Sequence, residues 1–408
     1  MITSWPEAIM CLDGDAFFAS VTQAVHPELK GKPVVTGWDR GIATAVSYEA
    51  RALGIERGMQ CWKIKKEFPQ VTITTSDYRL YHLFSKKMFS VMKKYSPSVE
   101  EYSVDEGFAD LKGMRRPLHM SYEQIAAAIK REVESSLGIT VSIGLSVTKS
   151  LSKLAVNLEK PSGLTVIPGQ DIDDLLKKTE VSKIWGIGHQ STALLNKLGI
   201  KTAFELARKP EEFIKKYFSK PYHEIWQELN GEMIYGVTPK AKHEYKSMTR
   251  SSTVTPATNN KDVLWARLLD HIEDVFLKAR NYNYIVKKVF IYLKDQSFRH
   301  QGIEIKLIEP TSYPMMIRDE LKQGFEKIYK NGVLYRASGA TIYDFSENNQ
   351  KQASLFFNDP QKEEKIKSLY PMIERKKVDF GTSLFDSERL IRKKKEIKLS
   401  LPILSRLE

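Results

Sequence analysis

The sequence predicts an α+β fold spread over several domains, and three observations carry that reading. At 408 residues the chain is too long for one compact core, and length alone suggests roughly two to four domains. Between residues 8 and 147 the patterns run strand, hairpin, helix, strand, an order compatible with a ferredoxin-like sheet. Beyond Gly169 the texture changes to short helical patterns, and from about Lys246 strand and helix patterns mix again.

The elements follow in order. AIMCLDGDAFF (8–18) is an apolar run ending in acid, the mark of a buried strand that delivers carboxylates at its C-terminal end. A helix is expected from there to about Leu29. PVVTG follows as a short strand, and SYEARALG (47–54) has helix-forming composition ended by Gly54. Residues 78–95 read as a helix. VEEYSVDEGFADL (99–111) alternates as a strand pair with a tight turn near Asp105–Gly107. Ser121 with Gln124 forms a capping box for a helix carrying Ile125, Ile129 and Val133 and stopping at Gly138, and ITVSIGLSV (139–147) is the next strand. WGIGHQSTALLNKLGI (185–200) places a glycine turn before a helix bearing Leu194, Leu195 and Leu198. PKAKHEYK (239–246) is a polar, basic linker. VKKVFIYL (286–293), IEIKLI (303–308) and ATIYDF (340–345) are strands with helices between them.

Composition excludes several classes. Apolar residues at 42% and charged residues at 28% are ordinary for a soluble globular protein, which disfavours disorder, collagen and disulfide scaffolds. No apolar run reaches the ~20 residues a membrane span needs, and no basic-then-apolar leader opens the chain, so a cytoplasmic protein is expected. Cys11 and Cys61 lack CxxC spacing, and neither a disulfide nor a zinc site is expected. The net charge of +13 lies mostly after residue 239 and suggests a polyanionic partner, but only if a motif supports it.

Asp13 ends one strand, and Asp105–Glu106 lie at a hairpin, where a sheet could bring them together. Two or three acids from separate strands suffice to hold magnesium, which also keeps water and substrate phosphate oxygens. From Asp105, Glu106 and Gly107 alone a plain turn is the better reading. Tyr48 and Arg51, three apart on a helix, share a face and offer a hydroxyl and a guanidinium fork.

Six segments change that balance. LDGDAFFASV (12–21), SYEAR (47–51), SVDEGF (103–108), SIGLSVTKSLSKLA (142–155), EKPSGL (159–164) and WGIG (185–188) resemble, in order and spacing, the successive signatures of Y-family DNA polymerases. The similarity covers residues 8–200 and continues more loosely to about 345. It implies a right-hand polymerase: a ferredoxin-like palm (1–18 and 78–166), small fingers (19–77), a helical thumb with a helix-hairpin-helix (167–235), a linker (236–245), an α/β little finger (246–345) and a tail (346–408). The implied activity is template-directed addition of dNTPs to a primer 3′-end in translesion synthesis, with low fidelity and no proofreading.

The same resemblance assigns roles to residues. Asp13, Asp105 and Glu106 would be catalytic and hold two Mg2+ ions, or Mn2+, with the Gly14 carbonyl as a further ligand. Phe17 and Phe18 would meet the incoming nucleotide, Phe18 as the steric gate against ribose, and Tyr48, Arg51 and Lys160 would bind its triphosphate. Gly14 stands where the family more usually has a bulky residue, Ala45 where some members have threonine, and Thr148 where asparagine is common. Gly186 and Gly188 of the thumb, and Lys246 and Arg250 of the little finger, would contact primer–template DNA. QASLFF (352–357) resembles the peptide that docks bacterial polymerases on the sliding clamp, with Gln352, Leu355, Phe356 and Phe357 as its anchors. Two rivals are a nucleotide cyclase on the same kind of palm and a catalytically inactive DNA-binding relative.

Overall fold

The computed structural model describes residues 5–239, 245–347 and 360–374, and the chain divides near residue 241 into two compact units. The first opens with β1 (Ile9–Gly14). Because its residues are apolar in succession, both faces can be covered. Met10 and Leu12 enter the main core, whereas Ile9 and Cys11 join Phe108 and Val156 on the opposite side. α1 (Phe17–Val25) ends before the expected Leu29, and Pro27–Leu29 forms a separate 3-10 turn, as a proline one residue past His26 dictates.

β2 (Val34–Thr36), β3 (Ala45–Val46), α2 (Tyr48–Ala52), α3 (Cys61–Glu67) and β4 (Thr72–Thr74) come next. The strands form a small sheet in the order β3-β2-β4 around Val35, Val46 and Ile64. The Ser47 hydroxyl caps α2 by accepting from the Ala50 N–H at 3.3 Å. Asp77 likewise starts α4 (Tyr78–Tyr95), accepting from Arg79 and Leu80, a cap worth about 1 kcal/mol.

β5 (Val99–Glu101) and β6 (Glu106–Asp110) are the expected hairpin with a displaced turn. The turn occupies Tyr102–Asp105. Ser103 closes it, its N–H donating to the Glu106 carbonyl at 2.8 Å and its Oγ accepting from the Asp105 N–H at 3.3 Å. Gly107 is therefore a strand residue, and its smallness serves packing: a Cβ there would stand 2.4 Å from the Phe89 ring. α5 (Arg115–Leu118) leads to α6 (Tyr122–Leu137), which has the expected Ser121–Gln124 capping box and ends at Gly138 with φ +68°. β7 (Val141–Ser146), α7 (Lys149–Ala155) and β8 (Leu164–Val166) follow.

These strands form one sheet in the order β5-β6-β1-β7-β8, with every neighbour antiparallel except β7–β8. The first four have ferredoxin-like order. α4 and α6 pack in the core on one face through Phe84, Met88, Ile129 and Val133. α7 lies on the other face, and Gly144 permits this: a Cβ there would meet the Ser152 carbonyl oxygen at 2.2 Å.

α8 (Ile172–Lys178), α9 (His189–Lys197), α10 (Ala203–Ala207), α11 (Glu211–Tyr217) and α12 (Lys220–Leu229) share a second core that includes Leu176, Leu195 and Leu229. Of the leucines expected to seat α9, Leu195 is fully buried but Leu194 is exposed. Glu228, fully buried, ties this helical part to α7. Its carboxylate accepts the Ser150 N–H at 3.0 Å and those of Ile234 and Tyr235 at 2.8 Å. The stretch expected as linker is also held at its start, the Thr238 N–H donating to Glu100 at 2.6 Å.

The second unit contains β9 (Ser247–Thr258), α13 (Lys261–Asn281), β10 (Tyr284–Asp295), β11 (His300–Thr311), α14 (Arg318–Ile328), β12 (Tyr335–Glu347) and α15 (Pro360–Glu374). Its antiparallel sheet has the order β11-β10-β12-β9. α13 and α14 cover one face through Leu268, Phe276, Leu321 and Phe325, which pack on Val289, Ile291 and Ile342. By alternation Lys288, Lys294 and Lys306 stand on the other face. No described helix is long and apolar enough to cross a membrane.

Candidate active site

The register of the five-stranded sheet sets Asp13 directly opposite Glu106 on one side and Ser142 on the other. Directly paired residues point to the same face, here the face on which α7 lies. From α7 Lys153 reaches both carboxylates, its Nζ standing 2.6 Å from Asp13 Oδ2 and 3.0 Å from Glu106 Oε2. Lys160 adds a second ammonium on Asp13 Oδ1. Asp105 joins through its backbone, its carbonyl accepting the Gly14 N–H at 2.7 Å, while its carboxylate accepts from Ser103 Oγ at 2.6 Å. The three acids and Gly14 thus gather at the C-terminal end of β1.

Burial shapes the electrostatics. It pushes the Glu106 carboxyl above its ordinary pKa, against the pull of the Lys153 ammonium. Burial also works against the charge on Lys153, but the surrounding negative groups, Asp13 and Glu106 among them, hold it well above the usual lysine value. Cys11 lies behind Glu106, Sγ to Oε1 3.8 Å, and burial keeps it a thiol. Asp13, Asp105 and Glu106 offer anionic oxygen alone, the donor set of a hard divalent ion, and a cation already stands between two of them. Among the described residues no group of three or more Asp, Glu, His and Cys side chains could hold a metal ion as they stand. The Asp105 carboxylate faces Ser103, and lysine ammoniums stand on Asp13 and Glu106.

A cavity of 390 Å3 adjoins the acids. Asp13, Gly14, Asp105 and Lys160 line it on one side, and Phe17, Phe18, Tyr48 and Arg51 complete it. Phe17 and Phe18 open α1, so their N–H groups have no acceptor within the helix. The Phe18 ring is fixed by stacking on Tyr81, with centroids 4.1 Å apart and planes 12° from parallel. The buried Phe17 ring fills the space a side chain at position 14 would need: a Cβ there would lie 2.7 Å from its Cδ2. Gly14 in place of a bulky residue is thereby explained. Arg51 lies 4.5 Å over the Tyr48 ring, and its Nε donates to the Val46 carbonyl at 3.1 Å. Burial raises the Tyr48 pKa, which keeps its hydroxyl a donor. Of the other two departures, Ala45 lines the cavity, and Thr148 caps α7 by accepting from the Leu151 N–H and donates to the Glu228 carbonyl.

Two members of this site escape a reading of the sequence: Lys153, on Asp13 and Glu106, and Arg57, which lines the cavity. Lysines at 149 and 153 in an otherwise buried helix were the available signal, since a buried ammonium must be paired. Away from the cavity, Gly186 adopts φ +89° and Gly188 precedes the first residue of α9. Lys246 is exposed just before β9. Arg250 is not on the open sheet face: it pairs in register with Ala340 on the helix-covered side, and its Nε stands 3.3 Å from Asp274 of α13. Gln352, Leu355, Phe356 and Phe357 lie outside the described residues.

Comparison with known proteins agrees with this architecture. Residues 12–157 match the impB/mucB/samB family and residues 245–355 its C-terminal domain. A DNA polymerase IV of Clostridium kluyveri is 31% identical over 95% of this chain and 99% of its own length, and one of Moorella thermoacetica is 33% identical over 74% and 76%. Among solved structures, a Y-family DNA polymerase chimera built on Dbh superposes with a TM-score of 0.71 over 84% of this chain and all of its own, at 23% identity. The fold is thus that of a multi-domain α+β polymerase, and the chain belongs to the impB/mucB/samB family of Y-family DNA polymerases.

Proposed function

We propose that the chain adds deoxynucleotides to a primer 3′-end opposite a template base, releasing pyrophosphate, as a translesion DNA polymerase without proofreading. One observation carries the reading: Asp13 and Glu106, opposite each other on β1 and β6, meet Asp105 beside a cavity that Phe18, Tyr48, Arg51 and Lys160 complete. In this reading the five-stranded sheet is the palm, the β3-β2-β4 sheet with α2 and α3 the fingers, α8–α12 the thumb, and the second unit the little finger.

Family membership implies dependence on a divalent metal. We propose magnesium, with manganese as a substitute, held by Asp13, Asp105, Glu106 and the Gly14 carbonyl. When bound it would activate the 3′-hydroxyl and neutralise the leaving pyrophosphate. The chain's own residues do the rest. Tyr48 donates its hydroxyl and Arg51 its fork to phosphate oxygens, Lys160 supplies a point charge, and the first N–H groups of α1 face the same anion. The fixed Phe18 ring leaves no room for a 2′-hydroxyl, so ribonucleotides are excluded by collision.

DNA would be held by the backbone amides of the Gly186–Gly188 turn and by Lys246, Lys288, Lys294 and Lys306 along the second unit. Arg250, engaged with Asp274, is a weaker phosphate ligand than its place in the sequence suggests. Residues 352–357 are proposed to dock on a sliding clamp, and the enzyme to work in the cytoplasm. Primer extension by the purified protein with magnesium and single dNTPs tests the reading; failure to extend would reject it.

A further inference from the structure

The second acid of the Asp13–Gly14–Asp15 run takes no part in the site described above, yet it is the more deeply buried of the two, with no exposed surface. β1 ends at Gly14, and the chain turns through Ala16 at φ +46°. Asp15 consequently faces β7 and the loop that follows α7. Its Oδ1 accepts from Ser142 Oγ at 2.8 Å, and its Oδ2 accepts the Ser162 N–H at 2.7 Å.

That loop carries Lys160. Ser162 sits at φ +58°, a conformation residues with a Cβ rarely hold unless their surroundings impose it. Here they do: Asp15 takes its N–H, and its hydroxyl meets Lys130 Nζ at 2.6 Å and Glu134 Oε1 at 2.8 Å. Ser142 Oγ, while donating to Asp15, accepts the Gly163 N–H at 3.3 Å. Two residues upstream the Lys160 ammonium stands on Asp13 and lines the cavity. A lysine side chain is long and rotatable, so where its ammonium dwells depends on how firmly its backbone is held.

We infer that Asp15 is a positioning residue whose buried carboxylate pins the Lys160–Gly163 loop so that the Lys160 ammonium stands ready for the nucleotide triphosphate. The inference rests on the proposed reading of Lys160 as a phosphate ligand. An asparagine in place of Asp15 can keep only one of the two accepted bonds, because its amide nitrogen cannot accept. On this inference the positioning effect of the carboxylate reaches the substrate through Lys160, the cavity-lining residue of the loop that it holds.

A double-mutant cycle on single-nucleotide insertion tests this, with KM for dNTP and kcat measured separately and folding checked by thermal unfolding. Asp15→Asn raises KM about tenfold with Lys160 present, the loss of one charge-assisted hydrogen bond. In Lys160→Ala the same change raises KM less than about twofold, since the group it acts through is gone. Ser142→Ala, which removes the other support of Asp15, raises KM by about threefold and carries the same comparison if Asp15→Asn does not fold. A folded Asp15→Asn enzyme with unchanged KM overturns the inference, as does an equal rise in both backgrounds. An unchanged KM in Lys160→Ala alone overturns the reading of Lys160 itself, and the inference with it.

Discussion

Replacing Lys153 by methionine removes the ammonium that Asp13 and Glu106 share, where the side chains of Lys153 and Glu106 are 14% and 12% exposed. Methionine roughly keeps the volume, so the change is chiefly one of charge. Removing one member of a buried ion pair costs about 3–5 kcal/mol because the partner charge is left uncompensated. Lys160 remains on Asp13, which leaves Glu106 as the orphan and puts the expected loss at the lower end, about 3 kcal/mol. In a unit of this size each kcal/mol moves Tm by about 2–4 °C, so Tm should fall by roughly 6–12 °C without metal. A divalent ion at about 100 times its Kd should return some 2.7 kcal/mol to the variant. The wild type should gain less, because there an ion competes with the ammonium. Thermal unfolding followed by circular dichroism, in EDTA and in saturating Mg2+, reads both quantities. Equal metal-induced shifts in the two proteins, or a Tm loss that metal does not repair, would refute the idea that Lys153 stands where a cation belongs.

Other outcomes follow from the same geometry. Phe18→Ala should lower discrimination against ribonucleotides in kcat/KM by at least about tenfold and cost about 1 kcal/mol of ring stacking on Tyr81; unchanged sugar discrimination would reject Phe18 as the gate. Burial, reinforced by Arg250 and Arg267, depresses the His271 pKa from 6.5 to about 4. The unfolded chain therefore binds this proton first as pH falls, and stability is lost between about pH 6.5 and 4, on the order of 3 kcal/mol in all. Urea unfolding of wild type and His271→Phe at pH 7 and pH 4.5 checks it, since the variant should lose less stability across that interval. Deleting residues 352–357 should spare distributive synthesis and abolish stimulation by a sliding clamp; stimulation that survives the deletion counts against the peptide.

Where the sequence was readable, a local physical rule operated over a long enough stretch. The capping box at Ser121 and Gln124 and the glycine stop at Gly138 framed α6 correctly, and the apolar run before Asp13 marked a strand buried on both faces. Short strands such as β3 and β8 offer too few residues for a period to show. β9 was hidden for another reason: Ser, Thr and Arg dominate it, and only Met248 and Val254 are buried along its length. The hairpin turn was misplaced because Gly107 reads as a turn residue, whereas its missing side chain makes room for Phe89. Around the candidate site, family signatures named the acids and the residues that line the cavity, but Asp15 and Lys153 bond to partners more than a hundred residues away in sequence. No spacing rule encodes that. Arg250 shows the converse, a basic residue whose strand register turns it toward α13.

Asp13, Asp105 and Glu106 are proposed to catalyse templated nucleotide addition. Primer extension with magnesium and each dNTP in turn, comparing wild type with Glu106→Ala at matched, folded concentrations, tests that role. The wild type should extend the primer with the dNTP complementary to the template base, and Glu106→Ala should not extend it measurably. No extension by the wild type, or undiminished extension by the variant, would contradict the account.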